Sequence, residues 1–297
     1  MATVPGFRTD DARRRYVEAY DRVLAVSPVP LTELDLATPY GDTHVIAAGA
    51  PDLPPLIALH GKVVSSTMWI PLLDTLTASH RVFLIDAIGD INKSVATRVL
   101  HDGDDVARWL DAVLDGLAVR DVAVVGMSYG AWMATTYAMA RPEAVERLAI
   151  LSPAGVFAGV RPAWMARAVY AGMIRPRAET LRRFMATMYT SETAAHVEGS
   201  VFGQVIDQYI VGMPGFRMST REAPPRMYRA EALAALTMPV LVIIGEEETV
   251  CDGPRAAGIA RQRLPDARVE LVAHANHSVT ADQPEVVDQM LREFLGA

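Results

Sequence analysis

Cysteine is nearly absent from the sequence. The 297 residues include one, Cys251, so no internal disulfide can form, and this fits a reducing compartment. The residues around Cys251 match no spacing typical of a nucleophilic or metal-binding cysteine, and we expect a small buried hydrophobic side chain there. We therefore predict a cytoplasmic protein.

Basic runs and long apolar runs are missing as well. The 28 Lys and Arg residues are outnumbered by 35 Asp and Glu, the net charge is -7, and no block of five basic residues occurs, which argues against a nucleic-acid partner. The charged N-terminal segment has no apolar core typical of a secretory signal, and no stretch is long and apolar enough to span a bilayer. The histidines and carboxylates have no metal-ligand spacing. We expect no membrane, metal or cofactor, and a monomer or a homodimer.

Short apolar runs, by contrast, recur along the chain, and 51% of the residues are apolar. After a predicted hairpin at 32–37 and 43–48, most of these runs lack alternation between polar and apolar residues. They lie at 55–59, 81–85, 122–125, 148–151, 240–244 and 269–272. Strands that are apolar on both faces are typical of a parallel sheet covered by helices, and helix-like segments lie at 105–117, 131–140, 255–264 and 284–295. The sequence predicts an α/β fold, doubly wound, with a mostly parallel twisted sheet of about eight strands.

The strand pattern stops between Leu151 and Val240. The residues in between are rich in Met, Trp, Tyr and Phe, with apolar residues at helical spacing and Arg on the opposite face. We predict a helical cap at 156–230, inserted between two parts of the core at 31–155 and 231–297. A first helix at 12–24, capped by Asp10 or Asp11 and followed by Pro28-Val29-Pro30, predicts an N-terminal helical extension at 1–30.

One serine lies between two glycines where a predicted strand passes into a predicted helix. In Gly126-Met127-Ser128-Tyr129-Gly130 the glycines leave room at a tight turn, and a serine held there points its hydroxyl above the carboxyl edge of the sheet. The amides that begin the helix point to the same place, so the N–H of Tyr129 is a candidate oxyanion donor. The bare pattern also occurs by chance, but the strand before it and the helix after it favour a nucleophile at Ser128.

A serine nucleophile needs a base within hydrogen-bond reach, and the base needs an orienting acid. In this strand-turn-helix arrangement the chain order is Ser, acid, His, with the last two on loops after late strands. His277 is favoured as the base over His274, which lies at the tip of a predicted strand. The residues themselves leave the acid open, because several carboxylates follow the strand at 240–244: Glu246, Glu247, Glu248 and Asp252.

The serine elbow, the late acidic loop and the late histidine resemble the α/β-hydrolase superfamily. In that superfamily the acid usually lies three positions after the glycine that ends this strand, which implies Glu248, with Glu in place of the commoner Asp. The loop Leu59-His60-Gly61-Lys62-Val63 is similar to the superfamily's oxyanion loop. The resemblance implies a second oxyanion donor at the N–H of Lys62 or of Val63, with Gly61 permitting a close approach. The side chain of Lys62 either selects substrates or points into solvent.

Further motifs resemble bacterial carboxylesterases of the naproxen-esterase type, from about residue 30 to the end. They are Ser65-Ser66-Thr67-Met68-Trp69, Asp86-Ala87-Ile88-Gly89-Asp90-Ile91-Asn92-Lys93-Ser94, Leu151-Ser152-Pro153-Ala154 and the Gly-Glu-x-Glu of 245–248. Lys62 and Tyr129 depart from this pattern, in which smaller or apolar residues are common at these places. The resemblance implies a serine hydrolase that cleaves a carboxylic ester, or a related acyl bond, of a small hydrophobic substrate through an acyl-enzyme.

Two alternatives to ester hydrolysis stay open at this point, because a fold does not fix a reaction. The same serine could serve a non-hydrolytic reaction of specialised metabolism, namely cyclisation or lactone formation, acyl transfer, carbon–carbon cleavage or perhydrolysis. The chain could also be a non-catalytic, hydrolase-like protein that binds small molecules.

Apolar side chains of the cap are expected to line a pocket for an acyl group or a ring. The candidate substrate-binding residues are His60, Gly61, Val63, Trp69, Trp164 and Met213. At most half of twelve apolar cap residues are expected to line the pocket, since the others must pack the cap onto the core. These twelve are Trp164, Met165, Tyr170, Met173, Phe184, Met185, Met188, Tyr189, Phe202, Tyr209, Met213 and Phe216.

Overall fold

The protein is built on one large mixed sheet. The computed structural model describes residues 4–296. Its strands are β1 (Gly6–Phe7), β2 (Leu31–Thr38), β3 (Gly41–Ala48), β4 (Pro55–Leu59), β5 (Arg81–Ile85), β6 (Val95–Ala96), β7 (Val122–Met127), β8 (Val145–Leu151), β9 (Phe216–Arg217), β10 (Val240–Gly245) and β11 (Arg268–Val272). The short strands β1 and β9 pair separately, antiparallel to each other.

The main sheet has nine strands in the order β2-β3-β5-β4-β7-β8-β10-β11, with β6 beside β3. The pairings from β5 through β4, β7, β8 and β10 to β11 are parallel, whereas β3 pairs antiparallel with β2, β5 and β6. After β4 the chain adds β5 on one side of it and β7 on the other, so a crevice opens at the carboxyl ends of β4 and β7. The predicted α/β architecture is confirmed.

Strand β4 illustrates why uninterrupted apolar runs form the central strands. Leu56 and Ala58 pack in one apolar cluster, Ile57 and Leu59 pack in another, and all four are fully buried. Because successive side chains of a strand point to opposite faces, a strand covered on both faces needs apolar residues at every position. All six predicted apolar-run strands occur, and β4 and β5 have the predicted bounds.

Helices cover both faces of the sheet. They are α1 (Asp10–Leu24), α2 (Leu73–Thr77), α3 (Gly103–Leu117), α4 (Tyr129–Ala140), α5 (Pro162–Val169), α6 (Ala178–Met185), α7 (Ser191–Ala194), α8 (Val201–Gly212), α9 (Ala230–Leu233), α10 (Gly253–Arg263), α11 (Val279–Asp282) and α12 (Pro284–Leu295). The four predicted crossover helices correspond to α3, α4, α10 and α12. Short 3₁₀ helices occupy Ser66–Leu72, Pro142–Ala144 and Met213–Gly215, and one turn of π-helix occupies Tyr170–Ile174.

Helix α1 packs against α8 through buried tyrosines. The hydroxyl of Tyr16 donates to the carbonyl of Ile91 and accepts from Nε2 of Gln208 at 2.8 Å. The expectation that Asp10 or Asp11 caps this helix is wrong. The Thr9 side chain accepts from an amide of the first turn instead. The two aspartates lie in that turn, where the positive end of the helix dipole stabilises their negative charges.

Helices α5 to α9 all lie between β8 and β10, where the sequence predicted helices and no core strand. Helix α5 has no buried residue, and α8 is buried along one side against α1 and the 3₁₀ helix Ser66–Leu72. Within residues 4–296, no helix is both long enough and apolar enough to cross a membrane. The division of the chain into an extension, a core and a cap stays a prediction.

Candidate active site

Ser128 lies alone between the end of β7 and the start of α4. Its φ of 55° and ψ of -114° place a non-glycine residue in a strained backbone region. A Cβ added at Gly126 would lie 2.5 Å from the carbonyl oxygen of Gly130, and one at Gly130 would lie 2.2 Å from that of Leu59. Real side chains do not fit at such distances. The two glycines therefore permit the tight turn that holds Ser128 at the edge of the sheet.

A buried histidine and a buried carboxylate follow Ser128 in a chain of hydrogen bonds. Nε2 of His277 lies 2.9 Å from Oγ of Ser128, and Nδ1 of His277 lies 2.8 Å from Oε2 of Glu248. The other oxygen of Glu248 accepts from the amide of Val250 at 2.7 Å. A carboxylate held at Nδ1 keeps the proton on that nitrogen and leaves Nε2 free to accept a proton from the serine. The arrangement can activate Ser128 as a nucleophile.

The other candidates for base and acid lie away from Ser128. His274, at a positive φ of 54°, is exposed, and its carbonyl accepts from the side chain of Gln283. Glu246 and Glu247 are also exposed. Asp252 caps α10 by accepting from the amide of Arg255 at 3.0 Å. Among the candidates that the sequence offered, the structure therefore brings together Ser128, His277 and Glu248.

Asn276 holds the histidine loop to the acid loop, a function that the sequence analysis did not assign. Its Oδ1 accepts from the amide of His277 at 2.7 Å and from the amide and hydroxyl of Thr249 at 3.0 and 2.9 Å. Its Nδ2 donates to the carbonyl of Thr187, on the segment between α6 and α7. The position of Asn276 directly before the candidate base was the available signal. One amide side chain thus links three loops around His277.

The loop after β4 approaches Ser128 from the other side. A Cβ at Gly61 would be in ordinary contact, 3.5 Å, with Cβ of Ser128. Val63 has a φ of 62°, an unusual conformation for a β-branched residue, and its amide donates to both carboxylate oxygens of Asp90 at 3.1 and 3.0 Å. Asp90 therefore holds the strained loop. The sequence analysis placed Asp90 in a motif without giving it a role.

The two candidate oxyanion donors lie on this loop and on the elbow. Among residues 4–296, neither the amide of Lys62 nor that of Tyr129 has a backbone acceptor, whereas the amide of Ser128 donates to Leu151 at 2.9 Å. The amide of Val63, the other candidate, is already bonded to Asp90. The amides of Lys62 and Tyr129 are thus the free pair beside the serine.

The side chain of Lys62 does not point into open solvent. Its Nζ pairs with Oε2 of Glu222 and lies 3.6 Å from Oδ2 of Asp90 and 5.2 Å from the ring centre of Tyr129. Burial alone lowers the pKa of Lys62, but the carboxylates of Asp90 and Glu222 outweigh it and raise the pKa above its ordinary value. Lys62 is therefore a cation in a partly buried ion pair at the wall of the cavity.

Two of the predicted substrate-binding residues, His60 and Trp69, do not line the cavity. Nδ1 of His60 lies 2.7 Å from the carbonyl oxygen of Gly61, and its Nε2 lies 2.9 Å from the amide of Ala87. Because a carbonyl only accepts and an amide only donates, the ring carries its proton on Nδ1 and is fully used within the protein. Trp69 is fully buried in the core. The side chain of His60 therefore joins the loop after β4 to the chain that follows β5.

A cavity of about 740 Å³ opens above Ser128. Gly61, Val63, Trp164 and Met213 line it as predicted, beside Ser128 and His277. Nine methionines of the chain's 14 contribute to its wall: Met68, Met127, Met165, Met173, Met185, Met188, Met213, Met218 and Met227. The wall is otherwise mostly aliphatic and aromatic, which is typical of sites for apolar small molecules.

The expectation that at most half of the twelve apolar cap residues line the cavity is wrong. Nine of them do, and the three that do not are Tyr170, Tyr189 and Phe216. Phe216 packs instead against Phe7, near the N-terminus, in a T-shaped pair with ring centres 5.1 Å apart. Within residues 4–296, no group of three His, Cys, Asp or Glu side chains is placed to hold a metal ion.

A serine on a strand-to-helix elbow, with a histidine and a carboxylate on later loops, defines the class of α/β-hydrolases. Residues 54–284 match the family described as alpha/beta hydrolase fold, and the chain belongs to this family. The superfamily resemblance found in the sequence is confirmed.

Two relatives are similar over nearly their whole length, both from Bacillus subtilis (strain 168). One, named uncharacterized carboxylesterase nap, is 30% identical over 95% of this chain and 93% of its own. The other, carboxylesterase YbfK, is 28% identical over 97% of this chain and 96% of its own. The solved structure of naproxen esterase (carboxylesterase NP) from Bacillus subtilis has a TM-score of 0.88 at 29% identity, covering 97% of this chain and 99% of that one. The resemblance to carboxylesterases of the naproxen-esterase type is confirmed.

Proposed function

We propose that the protein is a carboxylic ester hydrolase that uses Ser128 as its nucleophile. The observation that carries the proposal is the continuous chain of hydrogen bonds from Ser128 through His277 to Glu248 at the floor of an apolar cavity. The esterase names of the two full-length relatives support ester hydrolysis. The comparisons do not favour a non-hydrolytic reaction or a non-catalytic binding protein.

The reaction begins when Oγ of Ser128 attacks the ester carbonyl carbon and its proton passes to Nε2 of His277. Glu248 accepts from Nδ1 and stabilises the imidazolium that forms. The carbonyl oxygen becomes an oxyanion, which the amides of Lys62 and Tyr129 stabilise; each such donor contributes about 3 kcal/mol to lowering the barrier. His277 then gives its proton to the leaving alkoxide. A water molecule, deprotonated by His277, attacks the acyl-serine, and His277 returns that proton to Oγ of Ser128 as the carboxylic acid leaves.

The cavity favours small hydrophobic substrates. Residues 156–230 act as its cap in this proposal, since the residues between β8 and β10 supply most of the apolar wall. The free energy of transfer of apolar groups into such a wall grows with the area buried, so longer acyl groups should bind better than acetyl. Higher kcat/KM for p-nitrophenyl acetate than for the hexanoate would contradict this substrate class.

The nucleophile is tested by covalent labelling with a fluorophosphonate probe. Ser128→Ala should remove labelling and ester hydrolysis together, because the probe needs the same activated hydroxyl. Ser219→Ala is the matched control, since Ser219 also lines the cavity but its Oγ accepts from the amide of Arg221. Undiminished labelling of Ser128→Ala would reject Ser128 as the nucleophile.

A further inference from the structure

Two consecutive residues of the segment between β9 and α9, Glu222 and Ala223, contact the two residues whose amides are the proposed oxyanion donors. Oε2 of Glu222 pairs with Nζ of Lys62. The carbonyl of Ala223 accepts from the hydroxyl of Tyr129 at 2.9 Å. Lys62 follows β4 and Tyr129 begins α4, so the two halves of the proposed oxyanion hole come from different elements and meet at one dipeptide.

The ion pair between Glu222 and Lys62 is largely shielded from water. The side chain of Glu222 is 13% exposed and that of Lys62 is 28% exposed, so water screens the pair weakly. Burial raises the pKa of Glu222 and the charge of Lys62 opposes the rise, which indicates that the two charges depend on each other. Without the charge of Glu222, Lys62 would keep only the more distant carboxylate of Asp90, at 3.6 Å.

The contact with Tyr129 is a buried hydrogen bond with a fixed acceptor. Burial raises the pKa of Tyr129 above its ordinary value, so its hydroxyl stays protonated and remains a donor. The amide of Ala223 donates to the carbonyl of Leu100 at 2.8 Å, which attaches the dipeptide to the core just before α3. The ring of Tyr129 also stacks on Trp132 one turn further along α4, with ring centres 5.3 Å apart. The side chain of Tyr129, next to the nucleophile, is therefore held both at its hydroxyl and at its ring.

We infer that Glu222 and Ala223 are positioning residues that fix the distance between the amides of Lys62 and Tyr129. The oxyanion hole is then complete only when the segment that carries these two residues packs against the core. Neither residue touches the reacting atoms. The dipeptide contacts the side chains of Lys62 and Tyr129, the two residues whose amides are the proposed donors. The inference rests on the proposed function, because it assigns a role to the same hole.

The test compares an inhibitor that needs the hole with one that does not. Hexyl trifluoromethyl ketone forms a covalent hemiketal with the active serine, and the oxygen of the ketone becomes an oxyanion. Hexyl methyl ketone fills the same cavity but binds mainly without forming this covalent adduct. In Glu222→Gln, which keeps the shape and removes the charge, the Ki of the trifluoromethyl ketone should rise about tenfold, and kcat should fall by a similar factor. The Ki of hexyl methyl ketone should change less than twofold.

The matched control is Glu179→Gln, the same substitution in α6. The side chain of Glu179 is 76% exposed, pairs with Arg183 and does not line the cavity, so neither Ki should change. Equal weakening of both ketones in Glu222→Gln would mean that Glu222 only shapes the cavity and would overturn the inference. No weakening of either ketone would overturn it as well.

Tyr129→Phe provides a second variant if Glu222→Gln does not fold. It removes the hydroxyl that reaches Ala223 and keeps the stacked ring, and the same selective loss of trifluoromethyl ketone affinity is expected. Equal Ki values for Tyr129→Phe and the unaltered protein would count against the inference. If the unaltered protein neither hydrolyses p-nitrophenyl hexanoate nor binds the trifluoromethyl ketone more tightly than the methyl ketone, the proposed function itself fails, which is a different result.

Discussion

Ser128 and Val63 are the two residues of the candidate site whose backbone lies at positive φ without being glycine. Such conformations cost about 1–3 kcal/mol each and persist only where the surroundings impose them. Around Ser128 the surroundings are two glycines packed against backbone, and around Val63 they are the carboxylate of Asp90. The strain lies on the two segments that supply the nucleophile and the proposed oxyanion donors.

The choice of Glu248 among neighbouring carboxylates gives a sharp mutational contrast. Glu248→Gln should lower kcat about 10³- to 10⁴-fold with little effect on KM, because an amide cannot hold His277 in the required tautomer or stabilise its cation. Glu247→Gln changes the same residue type one position earlier, where the side chain is exposed, and should leave kcat unaltered. Steady-state kinetics on p-nitrophenyl hexanoate checks both, and equal loss in the two variants would reject Glu248.

At the residue scale the sequence was informative where a motif fixes the geometry and silent where contacts are long-range. The elbow pattern pointed to Ser128, and chain order pointed to His277. Glu222 could not be found this way, because it meets Lys62 across 160 positions of the chain and no local pattern announces such a pair. His60 was wrongly expected in the cavity because a sequence shows that a histidine is near the site but not that backbone groups use both its nitrogens.

The elements of the core were predictable because burial on both faces demands uninterrupted apolar residues. β4 and β5 had the expected bounds, whereas β7 and β8 extend beyond the apolar runs through Met127 and back to Val145. The two-residue strands β1, β6 and β9 gave no signal, since two residues show no periodicity. The cap helices were predicted as a group. Helical spacing shows which side chains share one face of a helix, but not whether that face packs against the core or lines the cavity.

Two glycines in different elements should respond oppositely to an added methyl group. Gly258 is exposed in the middle of α10 with nothing within 4 Å of an added Cβ, so Gly258→Ala should raise the free energy of unfolding by about 0.5–1 kcal/mol. Gly130→Ala, near the start of α4, should lower it by about 3 kcal/mol or more, because the Cβ would collide with two backbone carbonyls. Urea unfolding measures both. A destabilised Gly258→Ala would contradict the open space around Gly258.

For the molecule as a whole, Cys251 offers a reporter of global unfolding. The thiol is buried, and burial raises the pKa of Cys251 to about 12, so at pH 8 almost none of it is the reactive thiolate. We expect no reaction with Ellman's reagent in native buffer and one thiol per chain above the urea midpoint. Unfolding followed by labelling should coincide with unfolding followed by tryptophan fluorescence. Fast labelling of the native protein would show that the loop between β10 and α10, which carries Cys251, opens locally.

The prevalence of thioethers in the cavity wall has a chemical consequence for the whole protein. Methionine sulfoxide is polar and chiral, so an oxidant that enters the cavity turns an apolar surface into a hydrated one. Met165, Met173 and Met227 are about half exposed and would meet peroxide first. The methionines that fit the cavity to apolar substrates thus also make its preference for them sensitive to oxidation. That preference lasts only while the surroundings keep the thioether sulfur atoms reduced.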